Sequence, residues 1–385
     1  MAGCVKIVSW QIVLTDHQVY TMRALQDVSG EPLTIISGVK ELEERQLQGW
    51  TSPDISGLHV QYLPRSGWWR EGLDVLRKHQ NAIHMFNGLW GDRRFFFLLI
   101  EAQRRGIKTA LMTEPYAEVA VGYLSEDSHW RAKAKAFLRP LVYKFVGGLV
   151  ARRFIAVFAI SEKAIEQCVR MGVGQEKVFP FGYFVPAIQC DSPTGIETEE
   201  PPVKLVFVGS LIQRKGIQIL VEAMRISRSA CSNILLDVYG SGDETQLTGV
   251  MGVSYKGLIP FGNAQKVIAR YDALVLPSLH DGWGVVVNEA LLQGVPVLVS
   301  DQVGAKTLVE KSGAGIIIKA GDKYAWGEVF EHISVDCECL KLWKLNAISY
   351  KEQLSPEIAA QYLYDGLQHA LGVVRKKIKN PWYII

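Results

Sequence analysis

Two carboxylates stand eight positions apart in the second half of the chain, at Asp281 and Glu289. A glycine-flanked aromatic follows the first acid, in Gly282-Trp283-Gly284, and the segment closes on Gly294-Val295-Pro296-Val297. This order predicts a loop, a helix, a turn and a buried strand. Glycines let a backbone approach a ligand closely, and the free N–H groups that open a helix suit a phosphate. The two acids could hold two parts of one ligand, such as two sets of sugar hydroxyls, or serve the structure alone.

A pair of cations occupies a similar position earlier in the chain. The apolar run Leu205–Val208 ends in Gly209-Ser210, and Arg214-Lys215-Gly216 then precedes a helical pattern. A glycine at a strand end allows close approach, while an arginine fork and a lysine point charge before a helix can bind a diphosphate. A solvated Arg-Lys pair in a strand-to-helix loop is the alternative. Another strand pattern ends in Gly240-Ser241-Gly242, which is a weak signal by itself.

The elements that must position these residues follow a regular alternation of short apolar runs and longer amphipathic stretches. Such alternation predicts parallel sheets built from strand–helix–strand crossovers. In the first half the predicted strands are Val5–Trp10, Leu33–Ser37, His59–Leu63, Ala82–Phe86, Thr109–Met112, Ala156–Ile160 and Val178–Phe181. In the second half they are Lys204–Gly209, Ile234–Tyr239, Ala273–Leu276, Val295–Val299 and Gly315–Ile318. The fold class predicted is α/β, with two doubly wound, Rossmann-like domains that face each other across a cleft.

The predicted domain boundaries follow from a break in this alternation. Residues 187–202 contain three prolines and three glutamates without apolar periodicity, which is typical of a linker. Residues 1–186 then form an N-terminal domain, which we expect to bind an acceptor, and residues 203–355 a C-terminal domain. Residues 356–385 begin with a helix that we expect to cross back to the N-terminal domain.

The composition excludes several classes of protein. The 385 residues are 48% hydrophobic and 21% charged, which fits a globular protein with a large core. A net charge of +3 and the lack of a recognisable module argue against nucleic acid as a partner. The six scattered cysteines predict free thiols rather than a zinc site. Without a visible signal peptide or an 18-residue apolar run, we expect a cytoplasmic protein, at most peripheral on the cytoplasmic face of the membrane.

The N-terminal half is the basic one, and its basic residues cluster. Residues 1–186 hold 23 Lys and Arg against 18 Asp and Glu, whereas the remainder holds 19 against 21. Residues 128–161 carry seven Lys and Arg and no acid, interleaved with apolar side chains. This pattern predicts a basic amphipathic helix, suited to an anionic membrane surface through residues 128–153. A helix that packs on the core and exposes a solvated basic face is the alternative.

Two polar residues of this half follow predicted strands and should line the cleft. Glu114 comes after Thr109–Met112 and is a candidate acceptor contact or general base. An acid exposed on a loop is its alternative. His17 comes after the first strand and is either a catalytic residue or a structural histidine.

The motifs of the second half, taken in order, resemble those of retaining GT-B glycosyltransferases of the family-four type, the glycosyl transferases group 1. The matching elements are the glycine and Arg-Lys-Gly of 209–216, the G-x-G of 240–242, Pro277-Ser278, and an acid pair with the spacing E-x7-E at 281–289. The first acid of that pair is Asp281 instead of the family's glutamate, and Ser210 stands where an arginine is frequent. The resemblance implies the GT-B fold.

The resemblance also implies roles for individual residues. Arg214 and Lys215 would bind the donor diphosphate, and Glu289 would accept hydrogen bonds from ribose hydroxyls. Asp281 would hold the transferred sugar and its phosphate, together with the backbone N–H groups of Trp283, Gly284 and Val285. The nucleotide pocket would be bordered by Gly209, Ser210, Gly240, Gly242 and Leu258.

The implied reaction is transfer, with retention of configuration, from a UDP- or GDP-linked sugar to a glycan, lipid-linked or small-molecule acceptor. Surface polysaccharide or glycoconjugate biosynthesis is the expected setting. The donor site has no D-x-D element, so neither a metal nor a cofactor is expected. Three alternatives stay open: an inverting GT-B enzyme, a nucleotide-sugar epimerase of the same fold, and a catalytically silent sugar-nucleotide-binding or scaffolding protein.

Overall fold

The computed structural model describes residues 5–40, 52–117, 129–190, 202–227, 233–260, 262–374 and 378–384, without the side chains of 129–136. Two parallel sheets organise these residues. The first has the strand order β3-β2-β1-β4-β5-β6-β7 and the second β10-β9-β8-β11-β12-β13. Each order reverses beside its first strand, at β1/β4 and at β8/β11. Ligands of doubly wound sheets bind beyond such switch points, at the carboxyl ends of the strands.

Twelve of the thirteen strands in the described residues lie where the apolar runs predict them, and the strand at Val253–Gly257 is additional. The first sheet contains β1 Ile7–Gln11, β2 Thr34–Ser37, β3 His59–Tyr62, β4 Ile83–Asn87, β5 Thr109–Thr113, β6 Phe154–Ile160 and β7 Val178–Phe181. The second contains β8 Val203–Val208, β9 Ile234–Tyr239, β10 Val253–Gly257, β11 Ala273–Leu276, β12 Val297–Ser300 and β13 Gly315–Ile318. Strands such as β6 and β11 are buried along almost their whole length, as expected where both faces of a parallel sheet are covered.

Helices connect these strands. Those of the first half are α1 Asp16–Ser29, α2 Trp68–Lys78, α3 Arg93–Arg104, α4 His129–Val150 and α5 Glu162–Arg170. Those of the second half are α6 Ile217–Ser227, α7 Ala264–Ile268, α8 Val285–Leu292, α9 Lys306–Ser312, α10 Lys323–Val335, α11 Glu338–Tyr350 and α12 Pro356–Ala370. Within the described ranges, no helix has both the length and the apolar character needed to cross a bilayer.

The last helix and the tail after it contact the first sheet. A Cβ added to Gly366 of α12 would lie 2.9 Å from the ring of Phe158 in β6. In the tail, the Tyr383 hydroxyl donates to the carbonyl of Phe181 at 2.7 Å and accepts from the backbone N–H of Ser161 at 3.0 Å. The neighbouring Trp382 donates from Nε1 to the carbonyl of Gln353 at 2.7 Å, so the tail contacts both halves of the chain.

Candidate active site

The floor of the site is formed by the ends of β8 and β9. The N–H of Gly209 donates to the carbonyl of Tyr239 at 3.0 Å, and the N–H of Leu211 donates to the carbonyl of Ser241 at 2.7 Å. A Cβ on Gly240, where φ is 149°, would collide with the carbonyl of Gly209. Glycine is therefore required for this close approach. The two strand ends form a half-buried backbone edge beside Ser210.

The nucleotide-pocket candidate Leu258 lies further along this edge. It is exposed just after β10 ends, and Tyr255 of the same strand donates from its hydroxyl to the carbonyl of Gly240 at 2.8 Å. The side chain of Leu258 is thus an apolar surface at the same sheet edge as the predicted glycines.

The cationic turn after β8 is held against the loop that follows β11. Arg214 and Lys215 lie in a tight turn that ends at Gly216, where φ is 74° and a Cβ would collide with the carbonyl of Pro277. The N–H of Leu279 donates to the carbonyl of Arg214 at 2.8 Å. Arg214 in turn donates from Nη1 to the carbonyl of His280 at 3.0 Å. The turn is therefore fixed by backbone contacts, with two cations beside the first acid.

Lys215 and Asp281 form an ion pair. The Lys215 Nζ lies 2.5 Å from Asp281 Oδ2, and both side chains are largely buried. Burial alone would raise the pKa of Asp281, but the charge and hydrogen bond of Lys215, with a contribution from Arg214, outweigh it. The pKa of Asp281 consequently lies below its ordinary value, and the carboxylate is ionised at neutral pH. Two residues predicted to bind different parts of a donor thus contact each other directly.

The loop after Asp281 is rigidly anchored. The side chain of Trp283 is buried, donates from Nε1 to Asn288 Oδ1 at 2.8 Å and packs against Phe184 with ring centroids 6.1 Å apart. Gly284 precedes α8 with φ 91°, and a Cβ there would lie 3.6 Å from Asp281 Oδ2. The Asp281 carboxylate therefore lies close to the N-terminus of α8, where Val285 begins the helix.

Glu289 lies on α8, partly buried. Burial raises its pKa to about 7, and no hydrogen bond to this carboxylate occurs in the described part of the chain. Its charge is felt across the cleft, because the pKa of Tyr20 on α1 is raised by burial first and then by acids that include Glu289. A carboxylate that has no hydrogen bond within the described chain can accept hydrogen bonds from a ligand.

Three side chains of the N-terminal domain meet at the opposite wall. Tyr183 donates from its hydroxyl to Glu114 Oε1 at 2.8 Å. The ring of His17 lies 4.3 Å from the ring of Tyr183, and its Nε2 is 2.9 Å from Thr15 Oγ1. The structure thus brings the two predicted residues of this domain together through Tyr183. Sequence reasoning missed Tyr183, although a polar aromatic directly after a strand end was a usable signal.

The two walls approach each other at Glu114. A Cβ added to Gly282 would lie 2.5 Å from Glu114 Oε2, so only a glycine leaves room for this carboxylate. Nearby, Lys306 of α9 pairs with Glu162 of α5 at 3.0 Å and joins the two domains again. The predicted catalytic residues therefore surround one region, with Glu114 facing the loop that carries Asp281.

His280 is a further residue of the site that sequence reasoning missed. It is buried directly before Asp281, and burial, followed by nearby cations such as Lys163 and Arg214, lowers its pKa to about 4. Its Nε2 is buried without a hydrogen-bond partner in the described residues. The imidazole is thus neutral at physiological pH. Its position before the first acid, at a strand end, was the available signal.

Comparison with known proteins gives the site a context. Residues 202–334 match the family described as glycosyl transferases group 1. An uncharacterised glycosyltransferase of Methanocaldococcus jannaschii is 32% identical over 145 residues, which are 34% of this chain and 36% of that protein. A lipopolysaccharide core biosynthesis glycosyltransferase of Rhizobium meliloti is 26% identical over 149 residues, which are 37% of this chain and 42% of that one. The chain thus spans less than half the length of either relative.

A solved structure extends the likeness to the whole fold. The Anabaena protein HepE, in complex with UDP-glucose, superimposes with a TM-score of 0.66 at 13% identity, over 96% of this chain and 100% of that chain. Two doubly wound sheets of this kind, with the glycosyltransferase WaaG among the similar solved structures, define the GT-B fold, which confirms the predicted fold class. The chain has the GT-B fold, and its C-terminal domain matches the glycosyl transferases group 1 over residues 202–334.

Proposed function

We propose that the chain is a retaining glycosyltransferase that transfers a sugar from a nucleotide-diphosphate sugar, UDP- or GDP-linked, to a glycan or lipid-linked acceptor. The observation that carries the proposal is the Lys215–Asp281 pair, held at the switch point of the second sheet and beside the start of α8. A cation and an anion at one strand end suit a ligand that has both a diphosphate and hydroxyl groups.

The donor would bind at the carboxyl ends of β8 and β9 in the second sheet. The glycine-lined ends of β8 and β9, at Gly209 and Gly240, let the nucleotide approach the backbone. Glu289 would accept hydrogen bonds from ribose hydroxyls, since its carboxylate has no hydrogen bond within the described chain. HepE, which has the same fold, binds UDP-glucose, and this supports a nucleotide sugar as the donor.

Bond breakage would be assisted by electrostatics. As the bond between sugar and diphosphate lengthens, negative charge grows on the leaving diphosphate. Arg214, Lys215 and the N–H groups at the start of α8 would stabilise this charge, and removal of such a group typically costs about 10²–10³ in rate. Asp281 would then exchange its contact with Lys215 for hydroxyl groups of the transferred sugar.

The acceptor would enter from the N-terminal domain. Glu114 faces Gly282 of the donor loop, so a hydroxyl bound to Glu114 would lie beside a sugar held by that loop. Glu114 would accept the hydroxyl proton or orient the acceptor. His17 contacts Tyr183, and Tyr183 in turn donates to Glu114, so both would line the same wall. The lipopolysaccharide relative supports an acceptor from a surface glycoconjugate.

A two-stage experiment tests the proposal. Wild type is first screened for thermal stabilisation by UDP- and GDP-sugars, and the best donor is then offered with candidate acceptors while the product anomer is determined. We expect turnover with retention, and a loss of about 10²–10³ in rate for Lys215→Ala. Wild-type rates in the Arg214→Ala/Lys215→Ala double variant would remove these residues from the reaction. Donor binding without any turnover would support a silent binding protein instead.

A further inference from the structure

The described part of α4 exposes an unusual amount of apolar surface. Six of its large apolar side chains are between 44% and 78% exposed: Phe137, Leu138, Leu141, Val142, Phe145 and Leu149. Their spacing of three and four residues places them along one face of the helix. Single exposed apolar residues need no explanation, but a contiguous apolar patch on a protein surface marks an interaction site.

The opposite face of α4 is already covered by the protein. Arg139 donates from Nη1 to the carbonyl of Ala117 at 3.1 Å, and the ring of Tyr143 lies 4.5 Å from the ring of Tyr116. Gly147 packs so closely on Met171 that a Cβ there would collide with it. A helix that is apolar on two opposite sides is normally buried on both. No described residue of the chain covers the other side of α4 at Phe137, Leu141 and Phe145.

The charges around this helix indicate what covers it. Residues 128–161 carry seven basic side chains and no acidic one. Among the described residues Lys144, Arg152 and Arg153 are exposed at or just beyond its C-terminal half. Apolar side chains flanked by cations fit the boundary between the acyl chains and the head groups of an anionic bilayer, whereas a protein groove would have to supply many acids.

We propose that the outer face of α4 docks in the plane of an anionic bilayer. The neighbouring α3 also has an exposed aromatic side chain: Phe97 is 52% exposed, and it connects to Tyr143 on the covered side of α4 through Phe96 and Trp90, with ring centroids 5.1–6.1 Å apart. Docking gives each exposed side chain the apolar environment that the fold does not supply.

Docking through α4 would also bring the bilayer near the acceptor site, an inference that rests on the proposed function. Tyr143, on the covered side of α4, touches Tyr116, which is two residues after Glu114. A bilayer beneath α4 would therefore lie close to the acceptor wall. The acceptor class that fits is a hydroxyl group on a membrane lipid or on a lipid-linked saccharide.

Vesicle sedimentation of the full chain tests the docking surface. The probes are two kinds of vesicle. One is phosphatidylcholine with roughly 30% phosphatidylglycerol, which has an anionic surface, and the other is phosphatidylcholine alone. We expect wild type to bind the anionic vesicles several-fold more tightly, and Phe137→Ser/Phe145→Ser to lose at least about tenfold in affinity. The matched control is Met251→Ser/Val335→Ser, which changes side chains of similar exposure (67% and 82%) in the other domain and should bind as wild type does.

Two further measurements make the result decisive. Thermal stabilisation by the best nucleotide sugar should be the same in wild type and Phe137→Ser/Phe145→Ser, so a failed donor screen would count against the proposed function and not against docking. If the double variant misfolds, Lys144→Glu/Arg152→Glu replaces it and should also bind anionic vesicles several-fold more weakly. Equal vesicle binding by all folded variants would overturn the proposal. Dimerisation of wild type that the variants abolish, without vesicle binding, would overturn it in favour of a second copy of the chain.

Discussion

Lys215 Nζ lies 2.5 Å from Asp281 Oδ2, although 66 positions separate the two residues in the chain. The strand order explains the contact, because β8 and β11 are neighbours in the second sheet and each residue follows one of them. The pair places a cation and an anion side by side where the proposed donor would have its diphosphate and its sugar hydroxyls. Its strength predicts how the site responds when either member is removed.

The first prediction concerns stability as well as activity. Lys215→Met leaves the Asp281 carboxylate buried without its partner, so we expect a loss of about 3 kcal/mol in the free energy of unfolding. Asp281→Asn added to it should restore most of that stability but none of the transfer activity. Urea unfolding and donor turnover, measured on the same preparations, check this. Recovery of activity with stability would mean that the pair serves the fold alone.

A second prediction addresses the shorter acid of the pair. Asp281→Glu pushes the carboxylate toward Lys215 or toward the start of α8, where it already lies near Gly284. Because a displacement of about 1 Å near reacting atoms can cost on the order of 10²-fold in rate, we expect turnover of the preferred sugar to fall at least tenfold and the ranking of sugars to change. Asp301→Glu, in the loop after β12, is the control. An unchanged ranking and rate would make the departure from the family's glutamate neutral.

Local features of the site could be predicted from the sequence, because neighbouring residues form both a strand and the loop that follows it. Apolar runs predicted most strand positions, and Gly240 and Gly284 stand where the backbone needs close approach or positive φ. The fold class followed from the alternation of strands and helices.

Contacts between distant segments could not be predicted in this way. Tyr183 and Glu114 are 69 positions apart, and they meet because β5, β6 and β7 end at one edge of the first sheet. The contact of Glu114 with Gly282 depends on how the two domains approach each other. A local pattern encodes neither the order of strands nor that approach, so Tyr183 and His280 were missed.

The raised pKa of Glu289 predicts two opposite effects of pH. Its folded pKa of about 7 exceeds the ordinary value of 4.5, so the folded state holds the proton more tightly and stability falls as pH rises through this window. Glu289→Gln should therefore gain up to roughly 3 kcal/mol relative to wild type between pH 5 and pH 8. Donor affinity should rise over pH 6–8 in wild type, since an ionised carboxylate accepts hydrogen bonds more strongly. The unfolding free energies of wild type and Glu289→Gln are measured by calorimetry or with denaturant. If the two change with pH in parallel, that result would contradict Glu289 as the origin of the pH dependence.

Tyr183 is predicted to position Glu114. Tyr183→Phe removes the 2.8 Å hydrogen bond but keeps the ring beside His17, so kcat should fall about tenfold while the KM for the donor stays the same. Glu114→Gln should cost on the order of 10²-fold or more, if Glu114 is the base. Steady-state kinetics with both substrates separate the two effects. A rise in donor KM without a change in kcat would place Tyr183 in donor binding instead.

The tail residue Tyr383 is predicted to hold the start of α5 in place. Its buried hydroxyl satisfies both the N–H of Ser161 and the carbonyl of Phe181, and Ser161 has a φ of 90°, the one positive value at a non-glycine residue in the described chain. Tyr383→Phe leaves two buried backbone groups without a partner, which should cost about 1–3 kcal/mol of unfolding free energy. Tyr324→Phe, at an exposed position, should leave stability unchanged.

Because Glu162 beside Ser161 pairs with Lys306 of the other domain, the loss of the Tyr383 hydroxyl should also weaken the coupling of the two domains. Calorimetry would show this as two separated unfolding transitions in Tyr383→Phe, whereas a single transition at the wild-type temperature would exclude a role for the tail in joining them.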